Sequence, residues 1–229
     1  MFPAETSDRL IADELQAHSA RATIGRQIIV LEQTSSTNDA IFEVATANSN
    51  QGLALFAEHQ TAGRGQRGNR WESAAGKGLW FSILLRPKIQ INDSGRLTIW
   101  AIETISDVIR TEFSLEPAIK LPNDVQLFER KVAGVLVEMR AQEKAPHLAV
   151  VGIGINVNQS MEDFPKELQS RAISLAITLG SPVDRQKLAA AVLRYLDRTY
   201  RERFTDEACK VRTAAPAIRD KRAAKSPTA

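Results

Sequence analysis

Lys131-Val132-Ala133-Gly134-Val135-Leu136-Val137-Glu138 and Val151-Gly152-Ile153-Gly154-Ile155-Asn156-Val157 are two short apolar runs with glycine inside them. Runs of this length, rich in Val and Ile, read as strands, over residues 132–139 and 148–157. Glycine weakens a strand and marks a place where something approaches the backbone closely. Lys131 stands beside the first such gap. A strand-edge lysine that discourages aggregation is its plainer use.

Working outward, residues 125–128 form a further strand, with Glu129-Arg130 as a hairpin connection. Leu79, Phe81, Ile83 and Leu85 alternate along another strand, ended by Pro87. Leu97, Trp100, Ala101, Ile105, Val108 and Ile109 recur at helical spacing and predict a helix over 94–113. Residues 28–31 and 53–57 are expected strands, and residues 8–17 a short helix. A second helix opens at Ser36, where Ser36 and Asp39 resemble a capping box, and buries Ile41, Val44 and Ala45. Asp184 caps a last helix carrying Leu188, Val192, Leu196 and Tyr200. Adjacent strands with helices between only some of them predict an α+β fold: a mixed, largely antiparallel sheet with flanking helices.

The 229 residues are 43% apolar and 25% charged, which suits one globular core. No apolar run is long enough to span a bilayer, and the N-terminus lacks a signal-peptide pattern. One cysteine, Cys209, is compatible with a reducing cytoplasm. His18, His59 and His147 are scattered, so no metal site is expected. The net charge is +3. Residues 205–229 carry Lys210, Arg212, Arg219, Lys221, Arg222 and Lys225 against Asp206, Glu207 and Asp220, which accounts for all of it. The remainder is neutral, which argues against a nucleic-acid module. The tail reads as a disordered basic segment, residues 26–204 as the folded domain and 1–25 as a helical extension.

Three further stretches carry chemistry. In Thr61-Ala62-Gly63-Arg64-Gly65-Gln66-Arg67-Gly68-Asn69-Arg70-Trp71, glycines permit close approach to a ligand and arginines offer donors for phosphate or carboxylate. A solvated loop is the bland use, but Trp71 adds an apolar wall. Lys120-Leu121-Pro122-Asn123-Asp124 is a plain turn by composition, yet places polar side chains at a strand entrance. Gly152 and Gly154 lack the third glycine and the helix of a dinucleotide fingerprint, and no Walker motif is present.

Taken in order, Ser36-Thr37-Asn38, Gln60-Thr61-Ala62-Gly63-Arg64-Gly65, Lys120–Asp124, Lys131–Glu138 and Gly152–Asn156 resemble the catalytic domain of biotin–protein ligases, also called biotin–[acetyl-CoA-carboxylase] ligases. The resemblance covers residues 26–204. It implies the fold shared with class II aminoacyl-tRNA synthetases and lipoate ligases. It implies that ATP and biotin are substrates, with Mg²⁺ on ATP, and that biotinyl-5′-AMP forms before transfer to a lysine of a biotin carboxyl carrier protein. Carried over motif by motif, Ser36, Thr37, Asn38 and Gln60 serve the ureido ring. Gly63, Arg64, Gly65 and Gln66 belong to the loop over biotin and its adenylate. Lys131, with Gly134 and Gly152 beside it, faces the carboxylate and α-phosphate. Arg67, Asn69, Lys120, Asn123, Asp124 and Asn156 fall on the nucleotide side. Lys131, Arg64 and Lys120 are the expected catalytic cations.

The sequence departs from the family pattern at Gln66 and Asn69, where Arg is common, and at Leu121, where Trp is common. Residues 205–229 are too short for an SH3-like domain, and no helix-turn-helix precedes residue 26, so specific DNA binding is not expected. A homodimer through sheet edges stays open. The alternatives are a lipoate or octanoate enzyme on the same fold, against which the polar Ser36-Thr37-Asn38 and Gln60 argue, and a degenerate binder, against which the two lysines argue. A chain ending at Phe204 is expected to make adenylate within about tenfold of the full-length rate; a larger loss in a single-turnover assay would show that the tail takes part.

Overall fold

The structure, a computed structural model, describes residues 8–17, 22–45, 51–142 and 146–204. The expected basic tail, Cys209 and His18 lie outside the described residues. Seven strands form one sheet: β1 (Ile28–Thr34), β2 (Ala54–Gln60), β3 (Gly78–Leu85), β4 (Ala118–Lys120), β5 (Asp124–Leu127), β6 (Arg130–Arg140) and β7 (Leu148–Asn156). Their spatial order is β1-β2-β3-β7-β6-β5-β4. β1 and β2 run parallel, and the other five neighbouring pairs are antiparallel. Among the described residues five α-helices flank the sheet: α1 (Ala12–Ala17), α2 (Thr37–Val44), α3 (Gly95–Phe113), α4 (Leu175–Leu179) and α5 (Arg185–Phe204). This is the mixed, largely antiparallel α+β arrangement that the sequence predicts. No helix among the described residues is long and apolar enough to cross a membrane.

Every residue of β3 and β7 is buried, because the sheet is covered on both faces. On one face, Phe81, Ile83, Val151 and Ile153 pack with Trp100 and Ile105 of α3 and with Leu188, Val192 and Leu196 of α5. These are the period-2 and period-3.6 positions read from the sequence. On the other face α2 is short. Its Ile41 packs with Leu55, Leu84, Leu148 and Val150 in a second, smaller core. Beyond that core the strands carry Gly152 and Gly154 instead of bulky residues, and the face opens into a pocket.

Several local expectations give way. α1 starts at Ala12 rather than Asp8. Ser36 is the extended residue before α2, but its side chain makes no cap, and Asp39 binds Arg64 instead of closing a capping box. Val44 ends α2 and is exposed rather than buried. The hairpin turn is Phe128-Glu129, with φ of 49° and 60°; positive φ at both central residues matches the right-handed twist of the strands, and no Asn or Gly announced it. β4 went unread because all three of its residues are exposed and show no alternation. α4 is only five residues long, started by Ser174, whose hydroxyl accepts from Ile177 N at 3.1 Å. Asp184 does cap α5, through Lys187 N at 2.9 Å.

The expected boundary at residue 26 is not a packing boundary. Leu10, Leu15 and Ile24 are buried in the main core. Arg185, with 1% of its side chain exposed, donates to Glu58 Oε2 (2.7 Å), Gly78 O (3.1 Å) and Asp8 Oδ2 (3.0 Å). Glu58 Oε1 accepts from Leu10 N at 2.8 Å. A buried guanidinium needs this full set of acceptors to offset its lost hydration. Glu58→Ala removes the buried carboxylate from that charge and leaves it only the half-exposed Asp8; it is expected to destabilise the protein by about 3–5 kcal/mol in urea unfolding, and a loss under about 1 kcal/mol would show that the cluster is not tightening the fold.

Candidate active site

β1 leads into α2 through Ser36, Thr37 and Asn38, which are all buried at the sheet surface. Thr37 donates to Gln60 Oε1 from its backbone N (2.8 Å) and from its hydroxyl (3.2 Å). Gln60 Nε2 donates to Ser73 Oγ at 3.1 Å. The Ser82 hydroxyl donates to Asn38 Oδ1 at 2.6 Å and lies 2.8 Å from Thr37 Oγ1. Asn38 Nδ2 donates to Glu138 Oε2 at 2.7 Å. The result is a socket whose amides and hydroxyls are oriented by one another. Gln60 spends most of its amide on Thr37 and Ser73, so it holds the socket as much as it lines it.

Gly134 and Gly154 face each other across the β6–β7 ladder. The indole of Trp71 occupies the space where their side chains would be: a Cβ on Gly154 would come within 2.5 Å of the ring, and one on Gly134 within 2.7 Å of Lys131 Cε and 2.9 Å of Trp71. Lys131 Nζ lies 5.1 Å from the centre of that ring and 2.5 Å from Asp124 Oδ1. Trp71 Nε1 is buried and has no hydrogen-bond partner among the described residues. Trp71 therefore belongs to the site itself rather than merely bordering its loop.

A register shift puts Lys131 there. Val125 pairs with Ala133, but Gln126 pairs with Lys131, so Val132 is an extra residue in β6. Ala133 and Val135 alternate into the main core, and Val132 lies in that core as well. Plain alternation would have sent Val132 to the pocket face and Lys131 to the core. The bulge swaps them, and Lys131 lines the pocket together with Gly134 and Leu136.

Two cavities share Lys131 and Trp71 as their common wall. The inner pocket encloses about 40 Å³ between the socket and Arg64. That is room for a few waters. The outer cleft encloses about 390 Å³. Its cations are Arg70, Lys120, Lys131 and Arg171, against Glu72, Asp124 and Glu129.

The remaining expected site residues are distributed as follows. Gly65, Asn123 and Gly152 line the inner pocket. A Cβ on Gly152 would fall 2.1 Å from Asn38 Oδ1. Asn69 and Asn156 line the outer cleft with Lys120 and Asp124. Asn156 is already committed: its Nδ2 donates to the carbonyls of Lys131 (3.3 Å) and Ile173 (3.1 Å), and its Oδ1 accepts from Gln159 (3.1 Å). It fixes the backbone of Lys131. Gly63 sits under the loop closure, where its carbonyl accepts from Trp71 N. Gln66 and Arg67 line neither cavity; they form the tip of the loop, with Arg67 at φ 57°.

Ser73, Ser82, Asp39 and Glu138 were missed. Ser82 and Glu138 did leave a signal, since each is a polar residue inside an apolar strand and needs a partner there. Arg64 bridges to Glu138 through Nη1–Oε1 (2.9 Å) and Nη2–Oε2 (2.6 Å), and to Asp39 Oδ1 (2.8 Å). Burial pushes the Glu138 carboxyl up, but the hydrogen bonds from Arg64 and Asn38 and the charges of Arg64 and Arg140 hold it below the ordinary glutamate range. The bond to Glu138 raises the Arg64 guanidinium further, against its partial burial.

The sequence profile of the biotin/lipoate A/B protein ligase family matches residues 30–156, which include the socket, the loop, the bulge and the Gly134–Gly154 pair. The chain belongs to this family. Within it, the chain is 34% identical over 197 residues to the bifunctional ligase/repressor BirA of Bacillus spizizenii, covering 86% of this chain and 61% of that protein. It is 34% identical over 177 residues to the biotin–[acetyl-CoA-carboxylase] ligase of Mycobacterium tuberculosis, covering 75% and 63%. The match thus spans about three fifths of these relatives' lengths. The biotin protein ligase of Aquifex aeolicus, solved with biotin and ATP, superposes with a TM-score of 0.67 at 34% identity over 77% of this chain and 71% of that one.

Gly152→Ala drives a methyl group into Asn38. The variant is expected to fold, because the clash is with a side chain, and to lose at least about tenfold in affinity for the socket's ligand. Titration by calorimetry beside the wild type checks this; equal affinities would mean that Asn38 does not contact the ligand.

Proposed function

We propose that this chain activates biotin with ATP and passes it to a lysine of a biotin carboxyl carrier protein. One observation supports this reading above the rest: a small polar socket and a larger cationic cleft meet at a single lysine. A ureido ring both donates and accepts hydrogen bonds, and Asn38, Thr37 and Ser36 supply both kinds of partner. Lipoate and octanoate have no such group and would want an apolar tunnel there. The valeryl carboxylate of a ligand held in the socket would point along Trp71 toward Lys131, and a nucleotide in the outer cleft would bring its α-phosphate to the same place.

In the first step a carboxylate oxygen of biotin attacks the α-phosphorus of ATP. The α–β bridging bond breaks and pyrophosphate leaves with its electron pair. No proton needs removal, because the carboxylate is already ionised. Both reactants are anions, so charge is the main obstacle. Lys131 at the junction, with Arg64 on one side and Lys120 on the other, offsets it as negative charge gathers on the phosphoryl oxygens. Mg²⁺ carried on the ATP phosphates adds to that compensation. Among the described residues no cluster of His, Cys, Asp or Glu forms a cage for a metal, so the phosphates would be the ion's main ligands, with Asp124 the carboxylate beside them. In the second step the amine of the carrier's lysine, having lost a proton, attacks the acyl carbon, and AMP departs as an amide forms. Exclusion of water by the closed loop and Trp71 would protect the mixed anhydride in between.

Pyrophosphate release on mixing the protein with biotin and Mg-ATP tests the reading. Release that depends on biotin and not on lipoate is expected. Lys131→Ala is expected to fold and to lose about 2–4 kcal/mol of transition-state stabilisation, or 10²–10³ in rate. Biotin-independent release, or an unchanged single-turnover rate in the variant, would contradict it.

A further inference from the structure

Glu138 has no part in the reaction as written above, yet it is the most connected carboxylate at the pocket. Its Oε1 takes Arg64 Nη1, and its Oε2 takes both Arg64 Nη2 and Asn38 Nδ2. Through these bonds Glu138 ties the socket to the arginine loop, Arg64 reaching from the loop and Asn38 from the start of α2. Glu138 itself stands on β6, in the same strand as Lys131; β6 pairs with β5 over its first residues and with β7 from Ala133 to Arg140, where Glu138 lies opposite Val150. A bidentate pair with a guanidinium fixes direction as well as distance. With Ser82 on Oδ1 and Glu138 on Nδ2, the amide of Asn38 has one allowed orientation.

We infer that Glu138 is a positioning residue: it aims Arg64 across the pocket mouth and sets which end of the Asn38 amide meets the ligand. The inference rests on the ligase reading for the ligand's identity but not for the clamp itself. Asp39 adds a second carboxylate against the same guanidinium. Arg64 thus meets two carboxylates with its one charge, and it can exchange Asp39 for an anionic group on the ligand while Glu138 keeps its direction. The arginine is stored beside its point of use without being left as a mobile cation.

Two measurements on Glu138→Gln, Arg64→Gln and the double variant test this. The glutamine keeps the length of Glu138 but has a single acceptor oxygen and no charge, so it loses the two-point bond to Arg64 and sets an N–H donor in place of one acceptor. Without ligand, the rate at which phenylglyoxal modifies Arg64, followed by peptide mass spectrometry, is expected to rise about fivefold in Glu138→Gln, while Arg67 and Arg70 react as before. In pyrophosphate release, KM for biotin is expected to rise about tenfold in Glu138→Gln. In the double variant it should rise by clearly less than the product of the two single effects, because residues acting through one contact are not additive. Equal modification of Arg64 in wild type and Glu138→Gln, or KM effects that multiply, would overturn the assignment. A wild type that releases no pyrophosphate would strike the ligase reading, and the modification rates would still decide the clamp.

Discussion

A single extra residue in β6 sets the geometry on which the site depends. With Val132 turned into the core, Lys131 stands on the face that also carries Gly134, Leu136 and Glu138. Without the bulge, a valine would face the pocket and the lysine would be forced against α3, at a cost of several kcal/mol for the buried charge. Gly134 opposite Gly154 then leaves a flat floor, Trp71 lies on it, and the indole and Lys131 together divide one depression into a polar socket and a cationic cleft. The long β3–β7–β6 ladder supplies the rigidity: two cores, one on each face, prevent the strands from sliding.

Around that floor, polar groups are arranged as a continuous chain from Ser73 through Gln60, Thr37, Ser82 and Asn38 to Glu138 and Arg64. Such chains are stiff when every member is satisfied. Stiffness here serves selection, since an amide with one allowed orientation accepts a ring that matches its donor and acceptor and rejects an apolar chain that leaves both unpaired. Charge is handled in the opposite manner. At the junction Lys131 is paired with Asp124, and Arg64 with Glu138 and Asp39. Anionic substrates compete with these carboxylates, and the pairing keeps the cations in place until they arrive.

The fold class and the main elements were legible because they rest on strong periodicity. α3 is the clearest instance: its six apolar positions at helical spacing are all buried. The site was legible as an order of short motifs, Ser36-Thr37-Asn38, Gln60, Gly63-Arg64-Gly65 and Lys131. What was hidden depends on register and on partners distant in sequence. Nothing local distinguishes Val132 as the bulged residue. Asp39 three residues after Ser36 looks like a helix cap, and only a guanidinium from another loop draws it away. Asn156 looks like a ligand contact, but its amide is consumed by backbone carbonyls of Lys131 and Ile173. Glu138 could have been suspected, since a carboxylate amid Val-Leu-Val must find a donor; which donor was not readable. Gln66 and Asn69, the loop's departures from the family pattern, separate in space: Asn69 lines the cleft, and Gln66 sits at the loop tip, outside both cavities.

If the socket presents a carboxylate to a nucleotide at Lys131, an acyl adenylate of one acid forms on the protein. Mass spectrometry of the species bound to the protein after incubation with ATP, Mg²⁺ and either biotin or lipoate tests this directly. A stoichiometric biotinyl-5′-AMP and no lipoyl adenylate are expected. A lipoyl adenylate, or no acyl adenylate from either acid, would contradict it.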